Sequence, residues 1–361
     1  MPPSDDQQVR QFKVAPDDDG IRLDRWFRRN LPDASFNLVS RWARTGQLRV
    51  DGKRAAPGDR IEAGQTIRVP PAEPPASAAP KKVERRELSA DEESFVREMV
   101  IHEDPQAYVL NKPPGLATQG GTKTVQHLDG LLDGLGDERG RPKLVHRLDK
   151  DTSGALLVAR TARAAAAFSK SFSSRTARKV YWAVVVGVPK VEDGLIDLPL
   201  AKQPGTGGEK MHVDEGDNGL PSRTRYRVIE RAGNRAAWVE LQPLTGRTHQ
   251  LRVHMAAIGH PIVGDGKYAG QEAFLTGSIS RKLHLHARRI RIDHPDGGRV
   301  DVTAELPAHF AETMANLGFD PALGELPLDE SKKAPKRDPA AAAAKERRQA
   351  RRGERRSRGQ R

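Results

Sequence analysis

The chain has 361 residues, a formal net charge of +13 and no cysteine. That length can bury a large core and hold more than one domain, and the missing thiols exclude disulfides and thiolate metal sites. The opening residues, Met1-Pro2-Pro3-Ser4-Asp5-Asp6, read as polar and acidic rather than as a secretory signal, and no apolar run nears the length of a membrane span; a soluble, cytoplasmic protein with no membrane partner is expected.

Residues 12–70 predict a compact first unit. Leu23, Trp26, Phe27 and Leu31 recur at helical spacing, with Asp24 or a neighbour opening the helix. Val39, Trp42 and Ala43 start a second helical stripe that stops at Gly46. Leu48-Arg49-Val50, Asp51-Gly52 and Lys53 predict a hairpin, and Ile61 to Val69 a further short strand. Between Arg22 and Arg54 there are nine Arg or Lys against three Asp. Arg25, Arg28, Arg29, Arg41 and Arg44 on the helix pair, with Lys53 at the hairpin, suit phosphate contacts, although a merely solvated basic face would use the same residue types. The run Arg22-Leu23-Asp24, the helix pair and Gly46-Gln47-Leu48-Arg49-Val50-Asp51-Gly52-Lys53 together resemble an S4 RNA-binding domain. That family usually has Asn where this chain has Asp51. Asp also suits a tight turn, but it adds negative charge near the expected RNA face.

Residues 71–94 read as a linker. Pro70, Pro71, Pro74, Pro75 and Pro80 make a stiff extended stretch, and Lys81 to Glu93 is highly charged. A second body, residues 95–325, mixes strand-like runs (Tyr108 to Leu110, Ala155 to Ala159, Tyr181 to Val186, Thr224 to Ile229, Trp238 to Leu241) with helical runs (Ala162 to Phe172, Thr248 to Ile258). Several strands are spaced as hairpins, so the expected fold is α+β with a mixed, mainly antiparallel sheet. Gln203 to Gly208 predicts a Gly-rich loop. The tail, 326–361, is expected to be disordered alone, since it has almost no large apolar residue. From residue 331 onward it carries thirteen Lys or Arg against three acids, so ten of the thirteen net positive charges lie there. Such a block is either a solubilising appendage or a contact for nucleic acid.

Four segments carry the chemistry, in this order: Val109-Leu110-Asn111-Lys112-Pro113-Pro114-Gly115; His146-Arg147-Leu148-Asp149-Lys150-Asp151-Thr152-Ser153-Gly154; Lys179-Val180-Tyr181-Trp182-Ala183, ending at Gly187; and Leu244-Thr245-Gly246-Arg247-Thr248-His249-Gln250-Leu251-Arg252-Val253-His254, running on to Gly264-Asp265. The second sets two carboxylates among cations on a turn that enters a buried strand. Such a turn can hold an ionised Asp beside Arg. On the residues alone, a surface ion-pair cluster is the favoured reading, because charge-rich turns are common, and Asp149 and Asp151 are not separable. His146-Arg147-Leu148-Asp149 superficially matches a kinase catalytic loop, but no Gly-rich phosphate loop or Asp-Phe-Gly accompanies it. His249, His254, His260, His284 and His286 lack the spacing of a metal site, so they are expected to satisfy backbone groups or contact RNA.

Together the four segments resemble the RluA-type RNA pseudouridine synthases, over about residues 100 to 320. The S4-like unit before them is similar to the large-subunit ribosomal RNA branch, RluC and RluD, and nearer RluC. The resemblance implies a central antiparallel sheet with a cleft, and isomerisation of specific uridines, most readily in 23S ribosomal RNA or an assembling large subunit, by a monomer. That reaction breaks the C1′–N1 bond, turns the uracil and joins C1′ to C5, so it needs no cofactor and no metal. The target base must first leave its stack. The resemblance further implies Asp149 as the catalytic carboxylate, Arg252 as the arginine paired with it, Tyr181 at the flipped base and Arg147 as the aid to base extrusion. Asp151 then suits a turn-stabilising role. Without the resemblance, Tyr181 reads first as a cross-strand core aromatic and Arg252 as a surface residue unless a buried acid offsets its desolvation, and Arg147 would also suit a phosphate clamp. The rival reading is a non-catalytic S4-type RNA-binding or ribosome-assembly protein.

Overall fold

A computed structural model of the chain describes residues 9–71, 87–120, 126–203, 210–216, 218–325, 336–339 and 343. It divides into two units, Met1–Arg86 and Glu87–Arg361.

In the first unit, α1 (Leu23–Asn30) and α2 (Phe36–Arg44) bury Leu23, Trp26, Phe27, Val39 and Trp42 against a four-stranded antiparallel sheet. Ser35 caps α2 by accepting from Leu38 N at 3.3 Å. The strands are β1 (Arg10–Lys13), β2 (Arg49–Val50), β3 (Lys53–Arg54) and β4 (Thr66–Val69), in the order β1-β4-β2-β3. The Asp51-Gly52 turn has both residues at positive φ, 47° and 77°, as a two-residue hairpin of this twist requires. Asp51 Oδ1 also accepts from Thr66 N at 2.8 Å, which gives the carboxylate a structural use at this turn. The final strand is shorter than Ile61 to Val69, and β1 begins ahead of the expected start at residue 12.

The second unit begins before residue 95. α3 (Ala90–Glu98) opens with a reciprocal capping box, Ser89 Oγ accepting from Glu92 N (3.3 Å) and Glu92 Oε2 from Ser89 N (3.0 Å). The acidic run expected to be linker is thus a helical first turn, where negative charge suits the helix dipole, and Val96 behind it is fully buried. The linker expectation over residues 72–86 lies outside the described residues.

An eleven-stranded sheet forms the body. Its strands are β5 (Val100–Glu103), β6 (Ala107–Lys112), β7 (Lys143–Leu144), β8 (Ser153–Ala159), β9 (Arg178–Val186), β10 (Asp193–Asp197), β13 (Arg223–Ala232), β14 (Ala236–Pro243), β15 (Leu285–Asp293), β16 (Arg299–Thr303) and β17 (Lys336–Arg337); β11 (Leu200–Lys202) and β12 (Met211–Val213) pair separately. The main order is β17-β10-β13-β14-β9-β15-β8-β6-β5. All pairs are antiparallel except β15–β8 and β10–β17, so the α+β, mainly antiparallel expectation holds.

Alternation along β9 builds two cores. Tyr181, Ala183 and Val185 face one way, with Leu241, Leu251 and Met255. Val180, Trp182 and Val184 face the other, under Trp238, Phe310 and Met314 of α8 (Ala308–Leu317). A third cluster seats Ala164 and Phe168 of α5 (Ala162–Ser174) on Leu157 and Ile290. The remaining helices are α4 (Leu128–Leu131), α6 (Gln250–Ala257) and α7 (Gly266–Ala269).

One stretch of the tail departs from the disorder expected over 326–361. Lys336–Arg337 adds β17 to β10, Asp338 N donates to Leu195 O at 3.2 Å, and the Tyr226 hydroxyl donates to the buried Asp338 carboxylate. Composition misses such an attachment because strand pairing uses backbone groups that every residue carries. The loop expected at Gln203 to Gly208 falls almost wholly outside the described residues.

Candidate active site

The loop between β7 and β8 carries the nonapeptide and is pinned from beneath. Thr118 Oγ1 donates to Leu148 O (2.7 Å) and accepts from Leu148 N (3.2 Å). Lys112, fully buried at the end of β6, donates to the carbonyls of Pro113 (2.8 Å), Leu116 (2.8 Å) and Lys150 (3.1 Å). Burial pulls its ammonium down to about 7 against the opposing charges of Asp151 and Asp149. Lys112 therefore stitches the Asn-Lys-Pro-Pro loop to the aspartate loop, a structural use that keeps its nitrogen engaged with carbonyls.

Gly154 explains the abrupt entry into β8. Its φ is +110°, and a Cβ there would sit 2.3 Å from Ala287 O of β15. Only glycine lets β15 pair this close to the loop.

Asp149 emerges from that loop into a cavity of about 580 Å³, which Tyr181, Arg147, Arg252, His249 and Lys179 also line. The Asp149 side chain is 19% exposed. Asp151 is exposed and absent from the lining, so the fold separates two aspartates that the residue pattern left equivalent. The turn-stabilising hydrogen bond expected of the Asp151 side chain is not found among the described residues. The turn closes instead through Thr152 N and Asp149 O at 3.2 Å.

Tyr181, between Leu241 of β14 and Ala287 of β15, is buried and at the same time part of the cavity wall. The core reading therefore holds, and the ring also borders the cavity. Burial, reinforced by the Asp149 charge, pushes its hydroxyl pKa well up, so it stays protonated.

Arg252 is buried on α6, and the acid that its burial requires is Asp265. Nε donates to Oδ2 at 2.8 Å and Nη2 to Oδ1 at 2.7 Å. The Asp149 charge also supports the guanidinium, through space and after the Asp265 contributions. The bidentate partner of Arg252 is thus Asp265, which stood in the last motif without an assigned role. Its position at the start of α7, facing α6, is a tertiary fact that no spacing reports. The signal available was the burial argument itself, which demanded an acid.

His249, expected to satisfy backbone groups or contact RNA, has other neighbours. It begins α6 with φ +51°, its Nδ1 lies 2.6 Å from the Tyr268 hydroxyl, and its Nε2 lies 3.8 Å from Asp149 Oδ2. Burial, then the charges of Arg252, Lys267 and Arg147, lowers its pKa to about 3, so the ring is neutral at pH 7. His254, His260, His284 and His286 satisfy backbone or hydroxyl groups. His254 bonds Thr224 Oγ1 and Leu198 O, and His286 bonds Ser153 Oγ and Ala304 O. Among the described residues no group of three or more His, Asp or Glu could hold a metal ion. Gln250 knots the preceding loop to β13, its Oε1 accepting from Thr245 Oγ1 (2.7 Å) and its Nε2 donating to Arg223 O (2.8 Å).

Arg147 is exposed at the cavity rim. In the first unit Arg25, Arg28, Arg41, Arg44 and Lys53 are exposed, whereas Arg29 donates to the buried Asp18 at 2.9 Å and so helps hold the fold.

A sheet with a pocketed aspartate, a tyrosine on its floor and a clamped arginine defines a class, and comparison with known proteins supplies it. The RNA pseudouridylate synthase family model matches residues 106–257. The chain is 33% identical to an uncharacterised RNA pseudouridine synthase of Synechocystis, over 82% of this chain and 89% of that one. It is likewise 33% identical to ribosomal large subunit pseudouridine synthase C of Vibrio cholerae, over 86% of this chain and 97% of that one. Among solved structures, human RNA pseudouridylate synthase domain containing 4 superposes with a TM-score of 0.56 at 27% identity, covering 64% of this chain and 99% of that one. The chain belongs to the RNA pseudouridine synthase family and is an enzyme of that class. No described helix is long and apolar enough to cross a membrane.

Proposed function

We propose that the chain converts uridines of large-subunit ribosomal RNA to pseudouridine, with Asp149 as the carboxylate that acts at the ribose. The observation that carries this reading is Asp149 itself, opening into the cavity beside Tyr181 and Arg252 while Asp151 stays outside it. The similarity to synthase C of the large ribosomal subunit over nearly its whole length supports the RNA substrate. Tyr181 has the reach to stack on the extruded base while its protonated hydroxyl remains near the carboxylate. Arg147 at the rim is suited to fill the vacated stack. The exposed cations of the first unit, which resembles an S4 domain, serve as phosphate contacts. The protein is taken to act as a monomer, and ribosomal RNA as substrate fits a cytoplasmic location.

The C1′–N1 bond breaks, C1′ joins C5, and the C5 hydrogen leaves as a proton. Tritium release from C5-labelled uridine in ribosomal RNA therefore measures turnover. Asp149→Asn is expected to fall to background while retaining RNA binding, and Asp151→Asn to remain active. Substantial release by Asp149→Asn would remove the assignment. A map of pseudouridines in ribosomal RNA from cells with and without the protein tests the substrate.

A further inference from the structure

Behind Asp149 lies a relay of three groups that no motif role explains. Met211 N donates to the Tyr268 oxygen at 3.1 Å. The hydroxyl proton is then free for His249 Nδ1, which is 2.6 Å away. An imidazole that accepts at Nδ1 carries its one proton at Nε2 when neutral, and Nε2 is the atom that faces Asp149 Oδ2.

We propose that His249 is a positioning residue for the reaction, its Nε2–H tautomer set by Tyr268 so that this N–H orients the Asp149 carboxylate. The proposal rests on the reading of Asp149 as the reacting carboxylate.

Three features support it. The backbone of His249 lies in the left-handed region at φ +51°, uncommon for a non-glycine residue. It is held there by the Gln250 knot and by its carbonyl, which accepts from Val253 N at 3.0 Å. Strain maintained in this way accompanies functional placement. Second, the 3.8 Å separation is longer than a hydrogen bond, as such contacts commonly are before substrate closes the site. Third, the ring is neutral, because it is buried and then crowded by Arg252, Lys267 and Arg147. A neutral N–H orients a carboxylate without giving it a proton. His249 transfers nothing in this scheme.

The test uses the full chain and ribosomal RNA substrate. His249→Ala should lower kcat about 100-fold, the size of effect expected from a misplaced reacting group, with KM nearly unchanged. The acid limb of the pH profile should move to higher pH, because Asp149 loses a donor to its ionised form. Arg252 of α6 and Lys112 of β6, whose charges act on that carboxylate from other elements, the protonated Tyr181 of β9, and the cations Arg147, Arg178, Lys179 and Arg247 of the cavity wall remain in place. His249→Asn, which keeps an N–H donor, should recover part of the rate. Tyr268→Phe should produce a smaller fall that adds little to His249→Ala. Nitrogen-15 spectra of the wild-type protein should show the His249 proton on Nε2, which tests the tautomer on which the proposal depends even if a variant fails to fold. A proton on Nδ1, or a folded His249→Ala enzyme with unchanged kcat and acid limb, overturns the proposal. An active Asp149→Asn enzyme would instead remove the reading on which it rests.

Discussion

Arg252 grips both carboxylate oxygens of Asp265, at 2.8 and 2.7 Å, with both side chains buried. Removing either partner strands the other charge. Asp265→Asn and Arg252→Met should each cost about 3–5 kcal/mol of stability, whereas the double variant should cost clearly less than their sum. Urea unfolding of the three variants checks this. Simple additivity would mean that the two side chains are energetically independent.

Two glycines at positive φ should respond differently. Gly154→Ala meets the Ala287 carbonyl at 2.3 Å, backbone against backbone, so the β8–β15 pairing must shift. A loss above about 4 kcal/mol, or no folded protein, is expected. Gly115 has φ +88° and nothing within 4 Å. Gly115→Ala should cost only the left-handed penalty, about 1–2 kcal/mol. Comparable denaturation midpoints for the two variants would contradict the packing argument.

Three fully buried histidines make stability depend on pH. Burial lowers His254, His284 and His286 from 6.5 to about 4. The unfolded chain therefore takes up their protons first on acidification. Their contribution is complete above pH 6.5 and is lost as pH falls towards 4, at a rate on the order of 1 kcal/mol per pH unit for each. Unfolding free energy measured from pH 6.5 to 5 should drop steeply. His254→Gln should lower stability at pH 7 yet flatten that slope by about one proton.

The order found at Lys336–Asp338 changes where the tail is best cut. Ending the chain at Glu330 would also remove the Tyr226–Asp338 contact and β17. Ending it at Pro339 removes nine Lys or Arg and two acids and leaves that attachment. If about four of those charges meet phosphates, the slope of log affinity against log salt should become shallower by about three. The pattern of modified uridines should not change, since phosphate contacts position without specifying. Equal slopes would show that the tail past Pro339 does not bind RNA.

Local pattern made much of this protein legible. The helix pair in the first unit followed from apolar spacing at Leu23, Trp26, Phe27, Val39 and Trp42. The hairpin followed from Asp51-Gly52, and the strands of the body from their apolar runs. These depend on neighbours within a few residues, which is what a sequence displays directly. Asp149, Tyr181 and Arg252 were implied by the resemblance of the four motifs to a known family, whereas the residue pattern alone left Asp149 and Asp151 equivalent. Three things waited for the tertiary structure: the exclusion of Asp151 from the cavity, Asp265 as the clamp on Arg252, and His249 with Tyr268 behind the aspartate. Each turns on which side of a loop meets which side chain from a distant element. Asp149 and His249 stand a hundred residues apart in the chain and 3.8 Å apart in space. β17 belongs with these cases, because backbone pairing to β10 leaves no mark in side-chain pattern. Side-chain chemistry proposes partners, but the sheet order and the close β8–β15 approach at Gly154 decide which of them meet.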